Sequence, residues 1–110
     1  MLHTMKLKQE PFEKIRNGDK TIELRLYDEK RQQVQIGDFI EFSLMENPKE
    51  KIQTRVTALH RFNSFQELYA SLPKVKLGYK SDETPDPNHM DAYYSREEQE
   101  KYGVVGIEIR

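Results

Sequence analysis

Apolar residues along this chain recur with two periods, and each period predicts its own kind of element. The run Thr21-Ile22-Glu23-Leu24-Arg25-Leu26-Tyr27 alternates apolar and polar positions, the pattern of a strand with one face in a core and the other toward water or a cleft. A first strand is predicted over His3 to Lys8, where Met5 and Leu7 alternate with Lys6 and Lys8. Val34 and Ile36 alternate briefly before Gly37-Asp38 turns the chain, and Phe39 to Leu44 follows with Ile40, Phe42 and Leu44 inward. Ile52 to Phe62 reads as a long strand, with Ile52, Val56 and Ala58 on one face. Leu59 breaks its alternation and predicts a bulge or bend near Ala58. Val104 to Ile109 closes the chain with Val105, Ile107 and Ile109 on one face.

The helical period appears between these strands. Pro11 precedes Phe12 and Ile15, three apart, and Gly18 follows them, the proline-in, glycine-out signature of a short helix. Ser64 and Glu67 stand at capping-box spacing before Phe65, Leu68, Tyr69 and Leu72, and Pro73 stops the helix. Lys74 to Met90 lacks apolar periodicity and is predicted to be a long loop, a lid or simply mobile. Asp91 to Tyr94 reads as one helical turn, and Ser95 with Glu98 caps a last helix ending at Tyr102-Gly103. Five or six strands without βαβ alternation predict a mostly antiparallel α+β domain. A small curled or barrel-like sheet leaves the fewest open edges.

Composition narrows this picture. The 110 residues suit one domain, and 35% apolar residues imply a small core. Eighteen basic and nineteen acidic side chains nearly cancel to a formal −1, so any contact with a polyanion must come from a local patch. The absence of cysteine excludes disulfides, thiolate metal sites and a cysteine nucleophile. His3, His60 and His89 lack zinc-site spacing, and neither a phosphate-cradling glycine loop nor a G-x-S-x-G elbow occurs. No metal and no cofactor are therefore expected. The opening Met1 to Lys6 has no apolar signal core and no stretch suits a membrane span, which predicts a cytoplasmic protein without a membrane partner.

The candidate chemistry lies around the second strand. Glu23 and Arg25, two apart, share a strand face, and Lys20 can lean toward either. An exposed Glu–Arg pair on an ordinary solvated face contributes about 0–1 kcal/mol and does no chemistry, so the pattern alone supports either reading. Tyr93 and Tyr94 cannot both point inward from one turn, and Lys74, Lys76 and Lys80 precede them. Aromatic faces beside cations are what nucleobases stack on, although tyrosines also pack with bonded hydroxyls.

Gly18-x-Lys20-x-x-Glu23-x-Arg25 resembles the GxKxxExR signature of the ASCH domain family, within the PUA-like superfamily. The likeness to a branch of small bacterial single-domain members extends through Pro11-Phe12, Leu24 to Arg31, Gly37-Asp38, Tyr93-Tyr94-Ser95 and Tyr102 to Ile107. The resemblance implies a small mixed or antiparallel β-barrel with flanking short helices, and a cleft that binds RNA or a nucleoside-like small molecule. Lys20, Glu23 and Arg25 would line it, aided by Tyr93, Tyr94 and Lys80. The oligomeric state stays open.

Some small relatives are amidohydrolases releasing acetate from N4-acetylcytidine, with a lysine base, a threonine nucleophile three residues later and a downstream glutamate acid. Here Lys20 matches the base, but Glu23 occupies the nucleophile's position. Were the protein an enzyme, Lys20 and Glu23 would be its catalytic pair, provided burial lowers the lysine pKa or raises that of the glutamate. A ribonuclease is a further alternative, without a catalytic histidine pair to support it.

Overall fold

The computed structural model describes residues 1–110. Its five strands are β1 (Leu2–Leu7), β2 (Ile22–Leu26), β3 (Phe39–Leu44), β4 (Lys51–Phe62) and β5 (Val104–Ile109), in the order β1-β3-β4-β5-β2. The helices are α1 (Gln9–Asn17), α2 (Phe65–Ser71) and α3 (Arg96–Tyr102). The β1–β3 pair is parallel and the other three pairs are antiparallel, so the sheet is mixed. β4 joins its two halves: Lys51 to Arg55 pairs with β3, and Val56 to Phe62 pairs with β5. The register shift between Val56 and Ala58 is the irregularity that Leu59 announced.

The sheet curls into a half-barrel, because β1 and β2 are its two free edges and share no backbone ladder. Side chains bridge that seam instead. The Arg25 guanidinium donates from Nη2 to the Lys6 carbonyl at 3.0 Å, and Lys30 Nζ donates to the Thr4 carbonyl at 3.0 Å. The outer edge of β1 thereby loses two free acceptors that a stray strand could use.

Two apolar clusters lie on opposite faces of the sheet. Phe12, Ile40, Phe42, Val56, Val105 and Ile107 belong to the larger, inside the curl. Ile22, Leu24 and Leu26 join the other, with Phe65, Leu68, Leu77, Met90 and Val104. The apolar face of β2 thus lies in a core, though in the smaller of the two clusters. It packs under α2 and the 74–94 segment, while Glu23 and Arg25 point to the side of the main core. Phe12, Phe42 and Phe65 are almost wholly inaccessible, and truncating any of them to alanine costs about 3–5 kcal/mol.

Several local expectations also change. Val34 and Ile36 form no strand: Arg31–Gln33 is a single 3₁₀ turn, Val34 is buried and Ile36 is exposed. The helical turn expected at Asp91 to Tyr94 lies earlier, as a 3₁₀ helix over Pro87–Ala92 whose Asn88 N–H is capped by Asp86. That helix and the turns at Lys74 to Gly78 divide the predicted long loop. Ser95 and Glu98 form a complete capping box, whereas at α2 Glu67 reaches the Asn63 N–H rather than that of Ser64. No helix is long and apolar enough to cross a membrane.

β1 is anchored by His3, whose Nε2 lies 2.7 Å from Asp38 Oδ2. This bond, with the Gln35 N–H donated to the same oxygen, holds the Asp38 pKa down at about 2 from 3.8. A depressed carboxyl pKa stabilises the fold above the unfolded value and stops doing so as pH falls through the folded one. Asp38→Asn is expected to lower the melting temperature at pH 6–7. That difference should fade between pH 3.8 and about 2 in a calorimetric pH series.

Candidate functional site

Lys20 is positioned from two directions. α1 ends at Gly18, whose φ of 82° is left-handed, and Asp19 N–H and Lys20 N–H both donate to the Lys14 carbonyl, at 2.8 and 3.0 Å. On the other side, Thr21 N–H and Ile22 N–H donate to the Lys76 carbonyl at 2.9 and 3.0 Å, tying the start of β2 to the turn after α2. Gly78 in that turn has φ +100°, and a Cβ there would sit 3.3 Å from Lys20 Cβ. Gly78→Ala is expected to cost about 1–2 kcal/mol, from the left-handed backbone alone. It should also displace Lys20 and weaken any ligand it holds; titration calorimetry beside a melting curve reads both effects.

The three motif side chains converge. Lys20 Nζ lies 3.2 Å from Glu23 Oε1, and Arg25 Nε donates to Glu23 Oε2 at 2.9 Å. Glu23 is buried, and the Lys20 and Arg25 side chains are only 11% and 12% exposed, so the trio is not the solvated strand face that the pattern also allowed. Burial by itself would raise the Glu23 pKa. The charges of Lys20 and Arg25 and their hydrogen bonds outweigh it and hold the carboxyl below its ordinary value. Burial likewise disfavours the Arg25 charge, and Glu23 with the nearby Tyr94 hydroxyl more than restores it. The trio carries a net +1.

A cleft of about 730 Å³ opens over this trio along the seam between β1 and β2. Lys6 and Lys8 form one wall, Lys14 of α1 another, and the 77–94 segment the roof, including Tyr79, Tyr93 and Tyr94. Tyr94 is half-buried beside Arg25 and its phenol pKa is raised by burial, while Tyr93 is 48% exposed under Lys8 Nζ, 5.2 Å from its ring centre. Lys20, Glu23, Arg25, Tyr93 and Tyr94 thus meet at one cavity. Lys80 does not: it is exposed outside the lining, its N–H bound to Glu83.

Sequence reasoning missed Tyr69 and Tyr79, whose hydroxyls meet at 3.1 Å in the cleft wall. Tyr69 showed itself only as a helix core position, and Tyr79 lay in a stretch without periodicity. Tyr69 is pushed far above an ordinary phenol by burial and by Tyr79, so it stays a neutral hydrogen-bonding group. No set of three or more His, Cys, Asp or Glu side chains is placed to hold a metal ion.

The family model described as ASCH domain matches residues 5–110, essentially the whole chain. The chain belongs to the ASCH domain family. This ASCH domain resembles the crystal structure of hypothetical protein PH0355, at 33% identity and a TM-score of 0.83, over 100% of this chain and 98% of that one. It is also similar to the solution structure of protein PF0455 from Pyrococcus furiosus, at 36% identity and a TM-score of 0.75, over 100% and 96% of the two chains. No curated protein matches it. The fold implied by the ASCH resemblance, a small mixed or antiparallel β-barrel with short flanking helices, takes the form of a mixed five-stranded sheet curled into a half-barrel.

Proposed function

We propose that this ASCH domain is a binding module whose cleft takes RNA or a nucleoside-like ligand. The observation that carries the reading is a Lys20–Glu23–Arg25 trio, its carboxylate buried and its two cations half-buried, with a net positive charge at the floor of an open, tyrosine-lined cavity. The Lys20 ammonium has three N–H donors and one ion-pair partner, which leaves donors for a phosphate or carbonyl oxygen. Tyr93 and Tyr94 supply aromatic surface for a base. Lys80 drops out of the ligand set because its side chain lies outside the cavity.

Hydrolysis is the less favoured use of the site. A general base works best with a pKa near the operating pH, and that of Glu23 moves the other way, with each oxygen already facing a cation. Thr21, the one hydroxyl beside Lys20 in sequence, is not among the residues lining the cavity.

A thermal-shift screen against nucleosides, nucleotides and short single-stranded RNA tests the reading. A ligand at a hundred times its dissociation constant stabilises the native state by about 2.7 kcal/mol, a readily measured rise in melting temperature. The proposal fails if none of these compounds shifts the transition at millimolar concentration. Acetate release from N4-acetylcytidine, absent in the Lys20→Ala variant, would instead establish the enzyme.

A further inference from the structure

A second concavity, of about 550 Å³, lies beyond the far end of β2 and has no part in the cleft. Tyr27, the residue after β2, and Arg61 of β4 form its floor, with the guanidinium carbon 4.1 Å from the tyrosine ring centre. Arg61 is exposed and makes no ion pair, so its guanidinium is backed by Tyr27 and reachable from solvent. Lys101 and Tyr102 flank it, the ammonium 5.1 Å from the ring centre.

This groove adjoins the cleft. Arg25 and Arg61 both pair with Val105, one from each side of β5, which separates their backbones by about two strand spacings, or 10 Å. Arg25 lines the cleft on one side of β5, and Arg61 lines the groove on the other.

We infer that the groove is a second base-stacking subsite, in which an unpaired base of a single-stranded RNA seated in the cleft stacks on the Arg61 guanidinium. The inference rests on the cleft reading above and makes the ligand a strand rather than a free nucleoside. Arg61 and Lys101 are balanced by Glu67 and Glu100, so the groove is locally neutral and holds a base by stacking rather than by field. Planarity, not charge, is then what matters at position 61.

The test compares binding of uridine 5′-monophosphate and of single-stranded hexauridylate to the native protein and to the Lys20→Met, Arg61→Ala and Arg61→Lys variants. The hexamer should bind the native protein more tightly. Arg61→Ala and Arg61→Lys should each weaken the hexamer about five- to a hundredfold and leave the monophosphate unchanged, as loss of one stacked base implies. Equal affinity for the two ligands, or a hexamer affinity indifferent to Arg61→Ala or fully kept by Arg61→Lys, would overturn the stacking subsite and leave the cleft reading standing. If Lys20→Met alters neither ligand, the cleft reading fails and the stacking subsite fails with it.

Discussion

Replacing Glu23 with alanine is expected to lower stability by about 3–5 kcal/mol, the usual consequence of removing one member of a buried ion pair. Lys20 and Arg25 would remain largely shielded from water with their shared counter-ion gone, and their mutual repulsion would no longer be offset. For a domain of this size that corresponds to a melting temperature roughly 10–20 °C lower, a large part of a total stability of about 5–15 kcal/mol. Glu23→Gln keeps the volume and one acceptor, and should fall between the variant and the native protein. The pH dependence has a definite sign. Because the folded-state pKa of Glu23 lies below its ordinary 4.5, its stabilisation is present above that value and is lost as pH falls through the folded one. The gap between native and Glu23→Ala melting temperatures should therefore narrow on acidification below about pH 4.5 in a calorimetric series.

Lys20→Met should have the largest effect on ligand binding while damaging the fold less. Arg25 still pairs with Glu23 in that variant, and methionine retains much of the methylene contact with Gly78. A charge-assisted hydrogen bond of about 1.5–3 kcal/mol is lost, equivalent to roughly ten- to a hundredfold in affinity for a ligand presenting an anionic oxygen. If that oxygen belongs to a phosphate, the salt dependence of binding should become shallower by about one cation's contribution. Fluorescence polarisation with labelled RNA over a salt series reads both quantities. An unchanged affinity with an unchanged salt slope would overturn the cleft reading.

Much of this architecture was legible in the chain because it is governed by local rules. Period-two alternation located β1, β2, β3 and β5, proline and glycine bounded α1, and Leu59 betrayed the irregularity in β4. What escaped was set by tertiary context. Alternation marks two faces of β2 but cannot say which faces the main core, and here the apolar face serves a second cluster. Val34 and Ile36 alternate without a partner strand, so a 3₁₀ turn prevails before them. The motif identified Lys20, Glu23 and Arg25, whereas Tyr69 and Tyr79, ten positions apart in a helix and a turn, meet only through folding.

The proposed binding function requires that a ligand enter at the seam between β1 and β2. Amide chemical-shift mapping of the labelled protein during titration with single-stranded RNA examines this directly. Saturable shifts centred on Lys6, Lys20, Glu23, Arg25, Tyr93 and Tyr94 are expected. Saturable shifts confined to the opposite side of the sheet, around β3 and the first half of β4, with the seam silent, would contradict the proposed function.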